Sequence, residues 1–482
     1  MQKTEDIFTP ESQGIPSASI TAMVDEFENR DLQVTSFVLL RNGKTVAKFC
    51  KPPYEMDCVQ LWYSVTKSFT GIGVGIACDK GLLDLEDLVI SFFSDKLPQT
   101  ISENLGKLRV RDLLSMASGI HDNTYGLLYS QEDWVRAFLA QDFPHEPGTY
   151  YRYTTHGSHM FAAIVERVSG QSFHDFIKTN LFEPLDIHQS TWEVCLQGIT
   201  AGGMGLGLTV ESVAKFAQMI ADKGVYKGKR IVSERYLNVA MTEQSDNRLF
   251  EKEKHSHTNG YGFHMEIDLD GSVFHPGSFG QLWYACPQKN IAVALTSRRK
   301  NTDTDAVIDL LQEKIIEPAR DEILPVNGEY EKMREKLESL AYPVPAFGDI
   351  PKNAPHLDEK VYSVADNPHG LISIRFVQKE KYNLNMRLKY SDRPASSINF
   401  DFRKSVHSRD TFVKDIQFHE QKYVSFAAWD TENTLVLTVF YIETPYEVTY
   451  RVGFDGANIT VDFHMNVSLN IQDFVCAGFL ES

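Results

Sequence analysis

The sequence predicts an α/β (α+β) domain, with one antiparallel sheet, helices and an inserted helical region. An all-β antiparallel barrel or sandwich follows it. Three observations predict this. Strand-type apolar runs stand on both sides of a long helical middle, at "TSFVLLRNGKTVAKF" (35–49) and at "QLWYACP" and "NIAVALTS" (281–297). One sheet built from both ends, with helices inserted between, accounts for that order. The composition then turns proline-rich over 325–356, with "YPVPAFGDIPKNAPH", and only short β-type runs lie beyond. The expected division is 1–325, a linker at 326–356, and 357–482.

Residues 17–30 have the apolar spacing of an amphipathic helix, and Asn42-Gly43 between two apolar runs signals a hairpin. Helical periodicity continues through "RVRDLLSMAS", "EDWVRAFLAQ", "GSHMFAAIVERVSG" and "TVESVAKFAQMIADKG". Strands return in "YGFHMEID", "GSVFHP", "QLWYACP" and "NIAVALTS", and "DTDAVIDLLQEKIIEPA" closes the domain as a helix. Beyond the linker, "LISIRFVQ", "YNLNMRL", "SSINFDF", "YVSFAAW", "TLVLTVFYI", "YEVTYRVGF" and "ITVDFHM" read as strands without intervening helices. That pattern suits an antiparallel barrel or sandwich.

The chain has 482 residues, 42% of them hydrophobic, with 30 Phe, 20 Tyr and 5 Trp, as large globular cores require. A formal net charge of −17 disfavours nucleic-acid partners. No apolar run approaches the roughly 18 residues of a spanning helix, so membrane insertion is not expected. The start, "MQKTEDIFTPESQGIP", lacks a basic segment and an apolar core. The six cysteines form no C-x-x-C pair; reduced, buried thiols in a cytoplasmic protein are the expected reading. No H-E-x-x-H or G-x-S-x-G occurs, and no metal or organic cofactor is implied. The expected partner is a small-molecule or peptide substrate, and the oligomeric state is left open.

The stretch "LWYSVTKSFTGIGVGIA" (61–77) carries the chemistry. In S-x-x-K on a helix, serine and lysine face the same side one turn apart. A desolvated amine can then accept the serine proton. The pattern occurs three times, at Ser64–Lys67, Ser212–Lys215 and Ser297–Lys300. Lys215 lies on a polar helix face and Lys300 follows Arg298 and Arg299, so solvated lysine is the plainer reading of both. Lys67 sits among Trp62, Tyr63 and Phe69, which favours burial and selects Ser64. The glycine-rich "AGGMGLGL" lacks G-x-G-x-x-G and reads as a close-packed loop or pocket wall.

With Ser64 and Lys67 in place, "RDLLSMASGI", "EPGTYYRYTTHGSHMFAAIVERVSG", "AGGMGLGLTVESVAKFAQMI", "GVYKGKRIVS" and "FHPGSFGQLWYACPQKNIAVALTSR" resemble the serine β-lactamase and penicillin-binding-protein superfamily. The similarity covers about residues 8–318. The nearest branch resembles the class C β-lactamases, with related esterases and D-amino-acid peptidases. It implies the serine β-lactamase-like fold, Ser64 as the acylated nucleophile and Lys67 as its amine partner. Tyr153 would shuttle the proton, and Thr155 would replace the asparagine of Y-x-N. The third motif aligns with His275-Pro276-Gly277, and the amides of Ser64 and Ser278 would form the oxyanion hole. The literal Y-x-N at Tyr236–Asn238 lies outside that context. The expected function is hydrolysis of an ester or a D-amino-acid-containing amide through acyl-Ser64. The alternatives are a D-Ala-D-Ala carboxypeptidase or weak β-lactamase on the same residues, and an inactive penicillin-binding or scaffold protein whose β-domain serves interactions.

Overall fold

Asn42 and Gly43 have φ of 52° and 72°, so Arg41 pairs directly with Lys44 across a two-residue turn. Positive φ at both positions matches the twist of the flanking strands. The first strand, Val34–Arg41, also pairs antiparallel with Ile291–Ser297, which joins the two sides of the helical middle in one sheet. The computed structural model describes residues 7–123, 126, 130–251, 256–300 and 304–481. Its six-stranded sheet runs 44–50, 34–41, 291–297, 281–286, 273–277, 266–267.

Alternation along the strands gives this sheet two apolar faces. On one, Phe37, Leu39, Tyr284 and Val293 form a core with Met23 and Phe27 of the Ser17–Asn29 helix and Val307 and Leu311 of the Asp305–Leu311 helix. On the other, Trp283 meets Phe216 of the Val210–Ala221 helix edge-on at 5.4 Å. Phe216 in turn stacks at 3.9 Å on Phe69, in the helix Thr66–Asp79. That helix begins just after Ser64 and is buried on nearly all sides.

The alternating glycines of this helix are where neighbours touch its backbone. A Cβ on Gly73 would stand 2.5 Å from Ile177 Cδ1, and one on Gly75 2.5 Å from the Tyr236 ring. At Gly71 it would meet His264 Cβ and the Phe263 carbonyl, both at 3.1 Å.

Three expectations need correction. The 326–356 segment is not all linker: Gly328–Ser339 is a helix, and its Met333 joins the core of the first unit. The first unit extends to Leu340, and the second comprises Lys51–Cys58, Arg298–Lys300 and Ala341–Ser482. The helix was obscured because it is charged on most faces and buries only Met333. "YGFHMEID" is mostly not strand. Only Glu266–Ile267 is, since Gly260 and His264 take φ of 108° and 55° and turn the chain.

The second unit is a barrel rather than a sandwich. Ten antiparallel strands form one sheet, from 396–401 through 360–364 and 474–480 to 406–413. Its end strands approach each other, with Ser396 Oγ donating to Asp410 Oδ2 at 2.7 Å and the Ser397 amide to Asp410 Oδ1 at 3.2 Å. Strand Asn458–Met465 alternates exposed and buried residues along its whole length, as a wall with one apolar face must. Among the described residues, no helix is long and apolar enough to cross a membrane.

Candidate active site

Ser64 lies in the tight turn Tyr63–Val65 that feeds the Thr66–Asp79 helix, at the positive end of that helix dipole. Trp62 anchors the turn: its amide donates to the Leu206 carbonyl at 2.9 Å and its indole Nε1 to the Leu208 carbonyl at 2.9 Å. Ser64 is half-buried. One helical turn on, Lys67 is wholly buried. Its Nζ lies 3.1 Å from Ser64 Oγ and donates to the Gly203 carbonyl at 2.7 Å.

Tyr153 precedes the helix Thr155–Ser169 and is half-buried. Lys67 Nζ stands 4.8 Å from the centre of its ring. Its outer side rests on an aromatic and sulfur cluster of Met116, Tyr151 and Tyr261, with Phe250 alongside. Thr155 is buried against the glycine loop, where a Cβ on Gly203 would stand 2.6 Å from the Thr155 carbonyl and 2.7 Å from its Cγ2.

The third segment is the strand Val273–Gly277. His275 is buried, and its ring centre lies 6.2 Å from that of Tyr153. Its Nδ1 lies 2.7 Å from the Pro276 carbonyl. A carbonyl only accepts, so Nδ1 carries the proton in this bond. Gly277 has no room for a side chain: a Cβ would stand 2.7 Å from the Trp62 carbonyl. The strand thus touches the Ser64 turn backbone to backbone, and half-buried Ser278 follows at the contact. Ser64, Lys67, Tyr153, Thr155, His275, Gly277 and Ser278 therefore converge from three elements.

The rival serines are occupied elsewhere. Ser212 Oγ lies 2.8 Å from Thr209 Oγ1, in a helix cap, and Lys215 Nζ donates to the Asp186 carbonyl at 3.1 Å. Ser297 ends a strand and donates to the Leu32 carbonyl at 3.0 Å. Tyr236, of the literal Y-x-N, donates to the Gly71 carbonyl at 2.6 Å and so braces the Thr66–Asp79 helix.

Two residues near the site escaped sequence reasoning. Gly203 acts through its carbonyl, which no side-chain motif reports, although the close packing expected of "AGGMGLGL" pointed to the loop. His264 is fully buried between the two helices. Burial, then the charges of Lys67 and His275, hold its pKa well below the usual histidine value. It lay in a stretch that read as strand, and no spacing marked it. Among the described residues, no three or more His, Cys, Asp or Glu side chains are grouped to hold a metal ion.

Ser64 and the buried Lys67, one helical turn apart, thus lie beside Tyr153 and the strand that carries His275 and Gly277. Residues 16–316 match the Beta-lactamase family, and the chain belongs to that family. It is 24% identical over 247 residues to a 6-aminohexanoate-dimer hydrolase of Paenarthrobacter ureafaciens, covering 48% of this chain and 63% of that protein. With penicillin-binding protein 4* of Bacillus subtilis it shares 28% over 151 residues, covering 29% of this chain and 32% of that one. The matched portions thus span less than two thirds of either relative. The octameric penicillin-binding protein homologue from Pyrococcus abyssi has a similar fold, at TM-score 0.50 and 17% identity, covering 95% of this chain and 99% of that one.

Proposed function

We propose that the protein is a serine hydrolase acting through an acyl-Ser64 intermediate on an ester or a D-amino-acid-containing amide, carried by a small molecule or short peptide. The observation that carries this reading is Lys67, buried with Nζ 3.1 Å from Ser64 Oγ. A desolvated amine favours its neutral form and in that form can take the serine proton. The name of one relative, a 6-aminohexanoate-dimer hydrolase, fits hydrolysis. All six cysteines are free thiols, which suits a cytoplasmic setting.

In the proposed reaction, Ser64 Oγ forms a bond to the substrate carbonyl carbon as its proton passes to the Lys67–Tyr153 pair. The carbonyl oxygen, now negative, takes hydrogen bonds from the Ser64 and Ser278 amides. Its collapse breaks the bond to the alcohol or amine, which leaves with the proton from the pair. Water then attacks the acyl carbon, giving its proton to the same pair. Ser64 is released with that proton, and the acid is the second product.

His275 shapes the preference. His275 is wholly buried with Nδ1–H on the Pro276 carbonyl, and a neutral ring supplies no fixed charge, whereas lysine at this place would be a fixed cation for a substrate carboxylate. Histidine ordinarily titrates near pH 6.5. A charge-assisted hydrogen bond exceeds a neutral one by enough to give a roughly tenfold difference in preference. Neutral esters are therefore expected to exceed penicillins in kcat/KM. The test compares a p-nitrophenyl ester, a D-alanyl amide and a penicillin with wild type, Ser64→Ala and His275→Lys. Ester turnover should fall by about 10⁴-fold or more in Ser64→Ala, and His275→Lys should shift preference towards the penicillin. A Ser64→Ala enzyme with wild-type turnover contradicts the assignment.

A further inference from the structure

His264 is placed where no side chain is required for chemistry, yet it joins the two helices that carry the site. Its ring is fully buried. Nδ1 lies 3.1 Å from the Lys67 carbonyl, and Nε2 lies 3.1 Å from Ser158 Oγ, one turn into the Tyr153 helix. Its own carbonyl accepts from Ser68 Oγ at 2.8 Å, and Ser68 Oγ in turn accepts from Trp283 Nε1 at 3.0 Å. The residue reaches this position through φ of 55°, a conformation in which His, Asn and Asp are enriched among non-glycine residues. Gly71 permits the approach, because a Cβ there would stand 3.1 Å from His264 Cβ.

The donor pattern has one solution. The Lys67 carbonyl only accepts, so Nδ1 carries the proton. Burial keeps a second proton off the ring. Nε2 is then an acceptor for the Ser158 hydroxyl at 3.1 Å, nearer than that hydroxyl's other acceptor, the Thr154 carbonyl at 3.4 Å. Each contact fixes one helix: Nδ1 holds the main chain of Lys67, and Nε2 holds the first turn after Tyr153.

We propose that His264 is a positioning residue that sets the Lys67–Tyr153 spacing by bridging the Lys67 carbonyl to the Ser158 hydroxyl. The inference rests on the acyl-serine reading above. It extends that reading with a constraint outside the substrate pocket. Lys67 Nζ is tied to the Gly203 carbonyl at one end, and His264 ties its backbone at the other. Lys67 is thus held at both its amine and its main chain.

The test measures single-turnover release of p-nitrophenolate from a p-nitrophenyl alkylphosphonate across pH 5.5–9, in wild type, His264→Asn and Ser158→Ala. In that step Ser64 Oγ bonds to phosphorus, the bond to the nitrophenyl oxygen breaks, and the serine proton passes to the Lys67–Tyr153 pair. An ångström of misplacement at a reacting centre is worth roughly 100-fold in rate. In His264→Asn the maximal rate should accordingly fall by about 10–100-fold, with half-saturating probe concentration near that of wild type and the pH midpoint displaced. Ser158→Ala should show a smaller change of the same sign. Far-UV circular dichroism establishes that each variant is folded; if His264→Asn is not, Ser158→Ala decides on the same readouts. Folded variants with the wild-type rate and midpoint overturn the inference and leave His264 a core residue. Failure of wild-type Ser64 to react overturns the hydrolase reading and the inference with it.

Discussion

Tyr63 and Phe279 adopt φ of 47° and 66°, each next to a serine of the proposed oxyanion hole. For bulky residues this left-handed conformation costs about 1–3 kcal/mol apiece and persists only where surroundings enforce it. Here the two buried rings meet edge-on, 5.2 Å apart, so each holds the other in place. The Gly277–Trp62 backbone contact closes the same corner. Gly277→Ala should push the 273–277 strand off the Ser64 turn and lower kcat by about 10²-fold, with a smaller effect on KM. Wild-type kcat in that variant would show that the corner is not a functional distance. The burial of Lys67 was legible because the lysine sat among aromatic residues. Strain at Tyr63 was not, because φ is set by tertiary contacts that leave no local signal.

At the scale of elements, the nucleophile helix explains an apparent contradiction in its own sequence. Three glycines weaken an isolated helix by about 1 kcal/mol each relative to alanine, yet here each admits a neighbour. Gly75→Ala should lower stability by about 1–3 kcal/mol through overpacking on Tyr236 despite its better propensity. Gly106→Ala, whose nearest neighbour would be Ile101 Cγ2 at 3.8 Å, should raise stability by about 0.5–1 kcal/mol. Thermal unfolding of the two variants distinguishes these signs, and matching shifts would remove the packing account.

The loop that carries Tyr261 has its own fastening. His257 Nδ1 lies 3.0 Å from Asp268 Oδ1 and Nε2 lies 2.9 Å from Asp309 Oδ1. Asp268 chiefly, and Asp309 after it, raise the His257 pKa to about 9. A folded value above the unfolded one, near 6.5, gives stabilisation that is complete below pH 6.5 and lost as pH rises through 9, about 3 kcal/mol at most. The Tm difference between wild type and His257→Gln should be largest at pH 6 and close to nothing at pH 10. A difference independent of pH would contradict the ion-pair account. Nothing in the sequence announced this clamp, since its residues are far apart in the chain and belong to no motif.

For the whole molecule, the sheet joining both ends of the first unit was legible. Strands flank a helical middle, and a two-residue Asn-Gly turn fixes the first pairing. The unit boundary was less so. The second unit draws Lys51–Cys58 and Arg298–Lys300 from within the first unit's sequence, and short excursions of that kind carry no compositional mark. Three of the ten barrel strands, Lys360–Val364, Val406–Val413 and Phe474–Leu480, also went unread. They alternate weakly or are short. Residues 341–350 form no regular element, so limited proteolysis should cut there first. The nicked chain should still elute as one species, because the second unit is completed by residues on the other side of the cut. Two separate peaks would show that the pieces are independent.

Everything proposed for the site depends on Ser64, with Lys67 behind it, being the residue that becomes acylated. The most direct measurement is peptide mass spectrometry after brief reaction with a p-nitrophenyl alkylphosphonate and digestion. The account predicts one adduct, on the peptide containing Ser64, absent from Ser64→Ala and strongly slowed in Lys67→Ala. An adduct at Ser212 or Ser297, or labelling of Ser64→Ala at the wild-type rate, would contradict it.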